Sequence, residues 1–269
     1  MNKSPDLSVV MSVYNGQEYL EESIESILRQ SYGNFEFIII NDGSTDNTGK
    51  IITNCAAKDK RIIVVYQQNI GLTRSLNKGI KRAKGKYIAR HDADDLSLPK
   101  RFEAQITFLK NNPKIVLCGT WFQEINENTG FITRRYPLDD ATLRKHLKYV
   151  NYFCHPSVMF SKKAFTNAGG YDESFKTAQD FELWIRMARE GKISNLPEVL
   201  VKKRIGFGTT VSWEKRKEKT QVVKDVISKH FESWRDIEVG KFLRYYLPLM
   251  VYGYIPIPLL KIIRKIRYT

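Results

Sequence analysis

The chain has 269 residues, 42% hydrophobic and 27% charged, enough apolar sequence to bury a core without disulfide staples. Its three cysteines, Cys55, Cys118 and Cys154, are odd in number and unpaired in spacing, which argues against a cysteine-built zinc site and for a reducing compartment. The formal net charge is +15, and residues 201–269 carry +10 of it, with 16 Lys and Arg against 6 Asp and Glu. That imbalance points to an anionic membrane surface, a nucleic acid or a solvated face, and the motifs must decide.

Residues 1–6 are short and polar, with no charged lead, apolar stretch and cleavage site in succession, so a cytosolic N-terminal part is expected. Apolar, β-branched runs at 7–14, 35–40, 62–66 and 86–90 read as strands. Between them, residues 17–30, 45–58 and 72–83 read as helices, the first with Leu20, Ile24, Ile27 and Leu28 at helical spacing. Strand and helix in alternation predict a parallel sheet with crossover helices. Past residue 113 the rhythm loosens. Strands are expected near 115–119, 131–135 and 157–160, and helices at 140–148, 179–190 and 211–231.

Ligands of such sheets bind beyond the carboxyl ends of the strands. Four successive strand ends here carry Tyr14-Asn15-Gly16, Asn41-Asp42-Gly43-Ser44, Asn69-Ile70-Gly71 and His91-Asp92-Ala93-Asp94-Asp95. Three carboxylates crowded into the last segment repel one another unless a cation sits among them, and hard oxygen ligands favour Mg²⁺ or Mn²⁺. The competing reading is that Asp94 or Asp95 caps the helix that follows Pro99. Asp42 is placed to accept hydrogen bonds from a base or a ribose, while Ser44, Thr45 and Asp46 suit the start of a helix.

Five blocks, SVVMSVYNGQEYLEESIESILRQSY, IIINDGSTDNT, NIGLTRSLNKGI, IARHDADDLSLPKRF and TAQDFELWIRMA, together resemble the family 2 glycosyltransferases of GT-A fold. They follow the family's order across residues 7–188. The resemblance implies an inverting, nucleotide-sugar-dependent enzyme on a Rossmann-like, mostly parallel sheet flanked by helices. It implies that Val13, Tyr14, Asn15 and Asp42 border the nucleotide base, and that Asn69, Gly71, Arg74 and Asn77 line the nucleotide side. Asp92 and Asp94 match the family's DxD element, Asp92 toward the ribose and Asp94 on a Mg²⁺ or Mn²⁺ that bridges the diphosphate. Asp95 would orient Asp94 or meet the donor sugar.

Asp180 matches the catalytic base that takes the acceptor's proton, with Gln179 where relatives commonly have Glu; its alternative role is a helix N-cap. His155 resembles an element on the acceptor side. Arg204 is offered to a phosphate, and Gly206 stands where many members have His. The donor is expected to be a nucleotide-diphosphate sugar, UDP first, and the acceptor a glycan or a lipid-linked glycan of a bacterial cell surface.

The expected organisation is a catalytic domain over 1–231, split into a nucleotide-binding half (1–112) and an acceptor-binding half (113–231), followed by a helical extension over 232–269. Residues 247–260 are apolar but hold Pro248, Pro256 and Pro258, too short and broken for a spanning helix. With Lys261, Arg264, Lys265 and Arg267 behind them, they suit an interfacial segment on the inner, anionic face of the membrane. A C-terminal helix packed on the catalytic domain is the alternative. Two other enzyme-class or scaffold readings compete: a nucleotidyltransferase, for which a Gly-rich basic loop after the first strand is missing, and an inactive scaffold, against which Asp42, Asp94 and Asp180 all stand. Nucleic acid is not expected as a partner, because acidic strand ends repel a phosphate backbone.

Overall fold

The computed structural model describes residues 4–126, 130–147, 149–205, 221–222 and 225–230. The chain divides into two compact units, Met1–Leu147 with Asn151–Phe207, and Lys148–Val150 with Gly208–Thr269. The boundary that the sequence places at 231 lies at the edge of the described residues. Of the helix expected over 211–231, residues 221–222 and 225–230 are helical, and the remainder lies outside the described residues, as does the whole 232–269 extension.

Within the first unit the elements run β1 (Leu7–Val13), α1 (Leu20–Leu28), β2 (Phe35–Asp42), α2 (Thr48–Lys58), β3 (Ile62–Gln67), α3 (Leu72–Arg82), β4 (Tyr87–Arg90), β5 (Leu96–Ser97) and α4 (Arg101–Asn111). Then come β6 (Ile115–Asn126), β7 (Gly130–Arg134), α5 (Asp140–Leu147), a 3-10 turn (His155–Ser157), β8 (Met159–Ser161), α6 (Lys162–Asn167), α7 (Gln179–Glu190) and β9 (Lys192–Arg204). One sheet runs β3-β2-β1-β4-β8-β6-β9-β5, with β7 paired to β6. The first four strands are parallel, and β8 turns the sheet antiparallel against β4. Strand order reverses at β1 and β4, so the ends of those two strands flank the crevice where such sheets hold ligands.

β1 and β2 are buried almost throughout, as strands covered on both faces must be. α1 lays Leu20, Ile24 and Ile27 on that layer together with Phe35, Phe37, Phe102 and Ile106. Burying each such side chain stabilises the fold by about 1.5–3 kcal/mol.

β9 and α6 are not visible in the sequence reading. β9 is hidden because Pro197 interrupts its pattern. The strand absorbs the proline where its register against β6 jumps from Leu196 opposite Thr120 to Val199 opposite Trp121. β6 likewise runs on to Asn126, well past the expected 119.

Candidate active site

Asn15 adopts the left-handed backbone, φ 50°, that asparagine tolerates. That turn brings its Oδ1 within 2.8 Å of the Thr45 amide, while its own amide donates to Ser44 Oγ at 3.0 Å. The rims of β1 and β2 are thereby tied together. Asp46 accepts from the Thr48 amide at 3.0 Å, but it stands one residue ahead of the α2 N-cap, Asn47, which makes no side-chain cap bond; the capping residue therefore lies just after the segment read for that role.

Asp42 is buried and does more than face a ligand. Its Oδ1 accepts from Gln67 Nε2 at 2.7 Å and the Ile70 amide at 3.0 Å, and its Oδ2 accepts from the Gly71 amide at 2.9 Å. A carboxylate has about four acceptor sites, so one on Oδ2 remains for a donor from outside. The close approach of the two loops needs Gly43, at φ +76°: a Cβ there would sit 2.6 Å from the Asn69 nitrogen.

Val13 is buried, whereas Tyr14, Asn69 and Arg74 are exposed on this rim. Arg74 Nε pairs with Glu173 at 3.3 Å. Asn77 is turned to another task than lining the nucleotide side. Its amide holds the Tyr171 backbone, donating to the carbonyl at 2.9 Å and accepting from the nitrogen at 2.9 Å.

The acidic segment forms a true cluster. Asp92, Asp94 and Asp95 each offer a carboxylate oxygen, all within 4.8 Å of one another. Neither Asp94 nor Asp95 caps the next helix; α4 starts behind Lys100. The three carboxylates are held in different states. Burial would raise Asp92, but the Arg90 guanidinium paired with it holds it at about 2. Asp94 is raised by burial and by Asp92. Asp95, 1% exposed, is pushed up to about 8 by burial and then by the other two, against one hydrogen bond from the Arg204 amide at 2.8 Å.

Asp95 Oδ2 is buried with no hydrogen-bond partner. A buried acceptor without a donor, beside two further carboxylates, suits a hard divalent cation. His91, by contrast, is structural. It is fully buried between Ser97, Arg101 and the Asp95 carbonyl, and burial followed by Arg101 lowers it to about 3.

On the acceptor half, Asp180 lies in the first turn of α7 behind Ala178, whose φ of 57° starts the helix, so Asp180 is not the cap. Its Oδ2 accepts from Asn151 Nδ2 at 2.9 Å. Burial raises Asp180 above the ordinary carboxylate range, opposed by the Phe181 amide, Arg90 and Asn151. His155 donates or accepts through Nε2 with the Tyr171 hydroxyl at 2.7 Å and lies edge-on to Trp184. Burial and Arg90 keep it well below the usual histidine range, hence neutral. The Arg204 guanidinium pairs with Glu22 and lies 4.3 Å from the Tyr19 ring centroid. Gly206 lies outside the described residues.

Three residues that the sequence reading passes over matter here. Arg90 is 2% exposed and acts on both Asp92 and Asp180, joining the acidic cluster electrostatically to the acceptor half. Lys203 faces Asp92 and Asp95, and among the described residues its ammonium has no hydrogen bond or ion pair. Asn151 is the third.

Residues 8–168 match Glycosyl transferase family 2. The chain belongs to that family. A glycosyltransferase of Methanocaldococcus jannaschii is 40% identical over 208 residues, 75% of this chain and 71% of that one. The amylovoran biosynthesis glycosyltransferase AmsE of Erwinia amylovora is 34% identical over 203 residues, covering 74% and 76%. Among solved structures, the mannosyltransferase PcManGT of Pyrobaculum calidifontis, in complex with GDP-Man and Mn²⁺, superposes with a TM-score of 0.68 at 15% identity, over 98% of this chain and 80% of that chain. S. aureus TarS with UDP-GlcNAc gives 0.64 at 17% identity, over 92% and 79%. The fold of this family 2 chain is therefore GT-A, and its activity is glycosyl transfer. No helix among the described residues is long and apolar enough to cross a membrane.

Proposed function

We propose that the protein is an inverting glycosyltransferase that moves a sugar from a nucleotide-diphosphate donor to a hydroxyl of a cell-surface glycan or its lipid-linked precursor. The observation that carries this reading is the cluster of three carboxylates, Asp92, Asp94 and Asp95, all within 4.8 Å of one another just after β4, where the strand order reverses. Relatives named for amylovoran and O-antigen biosynthesis support the acceptor class. Neighbours solved with UDP, UDP-GlcNAc and GDP-Man support the donor class, and UDP is the first donor to test.

Asp180 takes the proton of the acceptor hydroxyl as that oxygen attacks the anomeric carbon. The hydroxyl oxygen attacks the face opposite the diphosphate, whose carbon–oxygen bond breaks with its electron pair going to the leaving oxygen, so one displacement inverts the configuration and no enzyme-bound sugar forms. A carboxylate raised by burial is a stronger base than an exposed one, which suits this role. Asp94, with Asp92 and Asp95, would hold Mg²⁺ or Mn²⁺, and a bound cation neutralises charge on the leaving diphosphate. Asn15, Asp42 and Gly71 shape the nucleotide rim, with Val13, Tyr14, Asn69 and Arg74 around it. The basic, apolar segment 242–269 supports docking on the anionic inner leaflet.

Calorimetric titration with UDP, GDP and dTDP, each with Mn²⁺ and with chelator, tests the donor site. Cation-dependent binding of one nucleotide is expected, followed by loss of transfer without loss of binding in Asp180→Asn. Failure of all three nucleotides to bind under either condition would overturn the reading in favour of an inactive scaffold.

A further inference from the structure

Asp180 Oδ2 accepts from Asn151 across 29 residues of sequence. The orientation of the Asn151 amide is fixed by its other end, because the Phe153 amide donates to Asn151 Oδ1 at 3.0 Å. The atom facing Asp180 must then be the NH₂ group, a donor.

The segment carrying Asn151 is held from both sides. Asn195, buried on β9, donates to the Tyr152 carbonyl at 3.1 Å and the Pro137 carbonyl at 2.8 Å. Further on, Ser157 donates to the Cys154 carbonyl through its amide at 2.8 Å, and Gln105 on α4 donates to the Ser157 carbonyl at 2.9 Å. The position of Asn151 is set before any ligand arrives, which is the condition for a group that aims another.

We propose that Asn151 is the positioning residue of the catalytic base: it holds Asp180 Oδ2 and leaves Oδ1 to meet the acceptor hydroxyl. The inference rests on Asp180 being the base. An amide suits this duty better than a cation would. A guanidinium at this place would engage both oxygens and quench their basicity, whereas a neutral donor steadies the ionised carboxylate and takes one oxygen only. The charged or titratable groups that act on Asp180 from the elements around it are Arg90 on β4, Lys203 on β9 and Tyr171 ahead of α7. None of the three makes a hydrogen bond to it; beside the neighbouring Phe181 amide, Asn151 is the one described side chain that hydrogen-bonds the carboxylate.

Asn151→Asp separates positioning from a local structural role. It keeps an oxygen for the Phe153 amide and so preserves the turn, but it replaces the donor to Asp180 with a carboxylate. Asn151→Ala removes both bonds. The full-length chain, labelled with ¹³Cγ-aspartate, is titrated by NMR, with the Asp180 signal assigned by its absence in Asp180→Asn. Release of nucleotide from UDP-GlcNAc and from GDP-Man in Mn²⁺ is followed across pH. In both variants the Asp180 midpoint and the acid limb of kcat are expected to move to higher pH, further in Asn151→Asp. At neutral pH kcat is expected to fall roughly tenfold or more, while donor KM stays within about twofold. An unmoved Asp180 midpoint, or equal losses in kcat and KM with an unmoved limb, overturns the proposal. Wild-type turnover in Asp180→Asn instead removes the base assignment, and the positioning role falls with it.

Discussion

Arg90, at the end of β4, forms an ion pair with Asp92 two residues on, and this guanidinium is 2% exposed while its partner reaches solvent. Its Nε has no hydrogen-bond partner. A buried cation is tolerated only where a carboxylate compensates it, and here the ionised Asp92 supplies that compensation.

Arg90→Met is expected to lower folding stability by about 3 kcal/mol, since removing one partner of a buried pair strands the other. Urea denaturation of the purified chain measures this. A change near zero would mean that water already solvates Asp92 in place of the arginine.

Asp94 is the exposed member of the acidic cluster and makes no ion pair among the described residues. Asp94→Asn is expected to reduce Mn²⁺-dependent nucleotide binding by about 100-fold or more, with the melting temperature in chelator unchanged. Retention of wild-type affinity in calorimetry would remove Asp94 from the cation site.

Asp95, raised to about 8, binds a proton in the folded chain that the unfolded chain has already released above its ordinary range. The folded state therefore holds more protons between about pH 4 and about pH 8, and the contribution of Asp95 to stability falls as pH rises through that window. Asp92 has the opposite sign: held at about 2, it stabilises above the ordinary carboxylate range and loses that contribution as pH falls toward 2. Thermal melts in chelator should drop from pH 5 to 8, and Asp95→Asn should flatten that drop. A melting temperature that rises across the window in the wild type contradicts the assignment.

Lys203 is held charged against burial, with Asp92 and Asp95 among the groups that act on it. Lys203→Met is expected to raise the Asp95 midpoint further and to weaken binding of UDP roughly tenfold, because a cation acting on the acidic cluster is lost. Unaltered UDP affinity at low ionic strength would show that the ammonium serves only the aspartates.

The first four strands were legible because each ends in a short loop signature: Asn15, Asp42, Gly71 and Asp92 all lie at or just beyond strand ends that hydrophobic patterning marks out. The rest was not, and for physical reasons. Arg90 reads as one polar residue inside the strand KYIAR, and its burial depends on a partner beyond the strand. Lys203 reads as part of the charge run VKKR, which most often is a solvated face. The Asn151–Asp180 bond joins an irregular segment to a helix, and no periodicity connects them. β9 disappears because its bulge around Pro197 breaks the alternation by which strands are recognised.

The pairing of β5 with β9 has a consequence for biosynthesis. Leu96 lies opposite Lys202, and the bond from the Arg204 amide to Asp95 spans 109 residues. During synthesis β1 to β4 can assemble as soon as they leave the ribosome, since their partners are local. The carboxylate triad cannot: its most buried member stays undocked until the strand ending at Arg204 emerges. A nascent chain halted before that point would carry the strand ends of β1 to β4 with the carboxylate triad still open, so the triad closes only after the strand ending at Arg204 has been made.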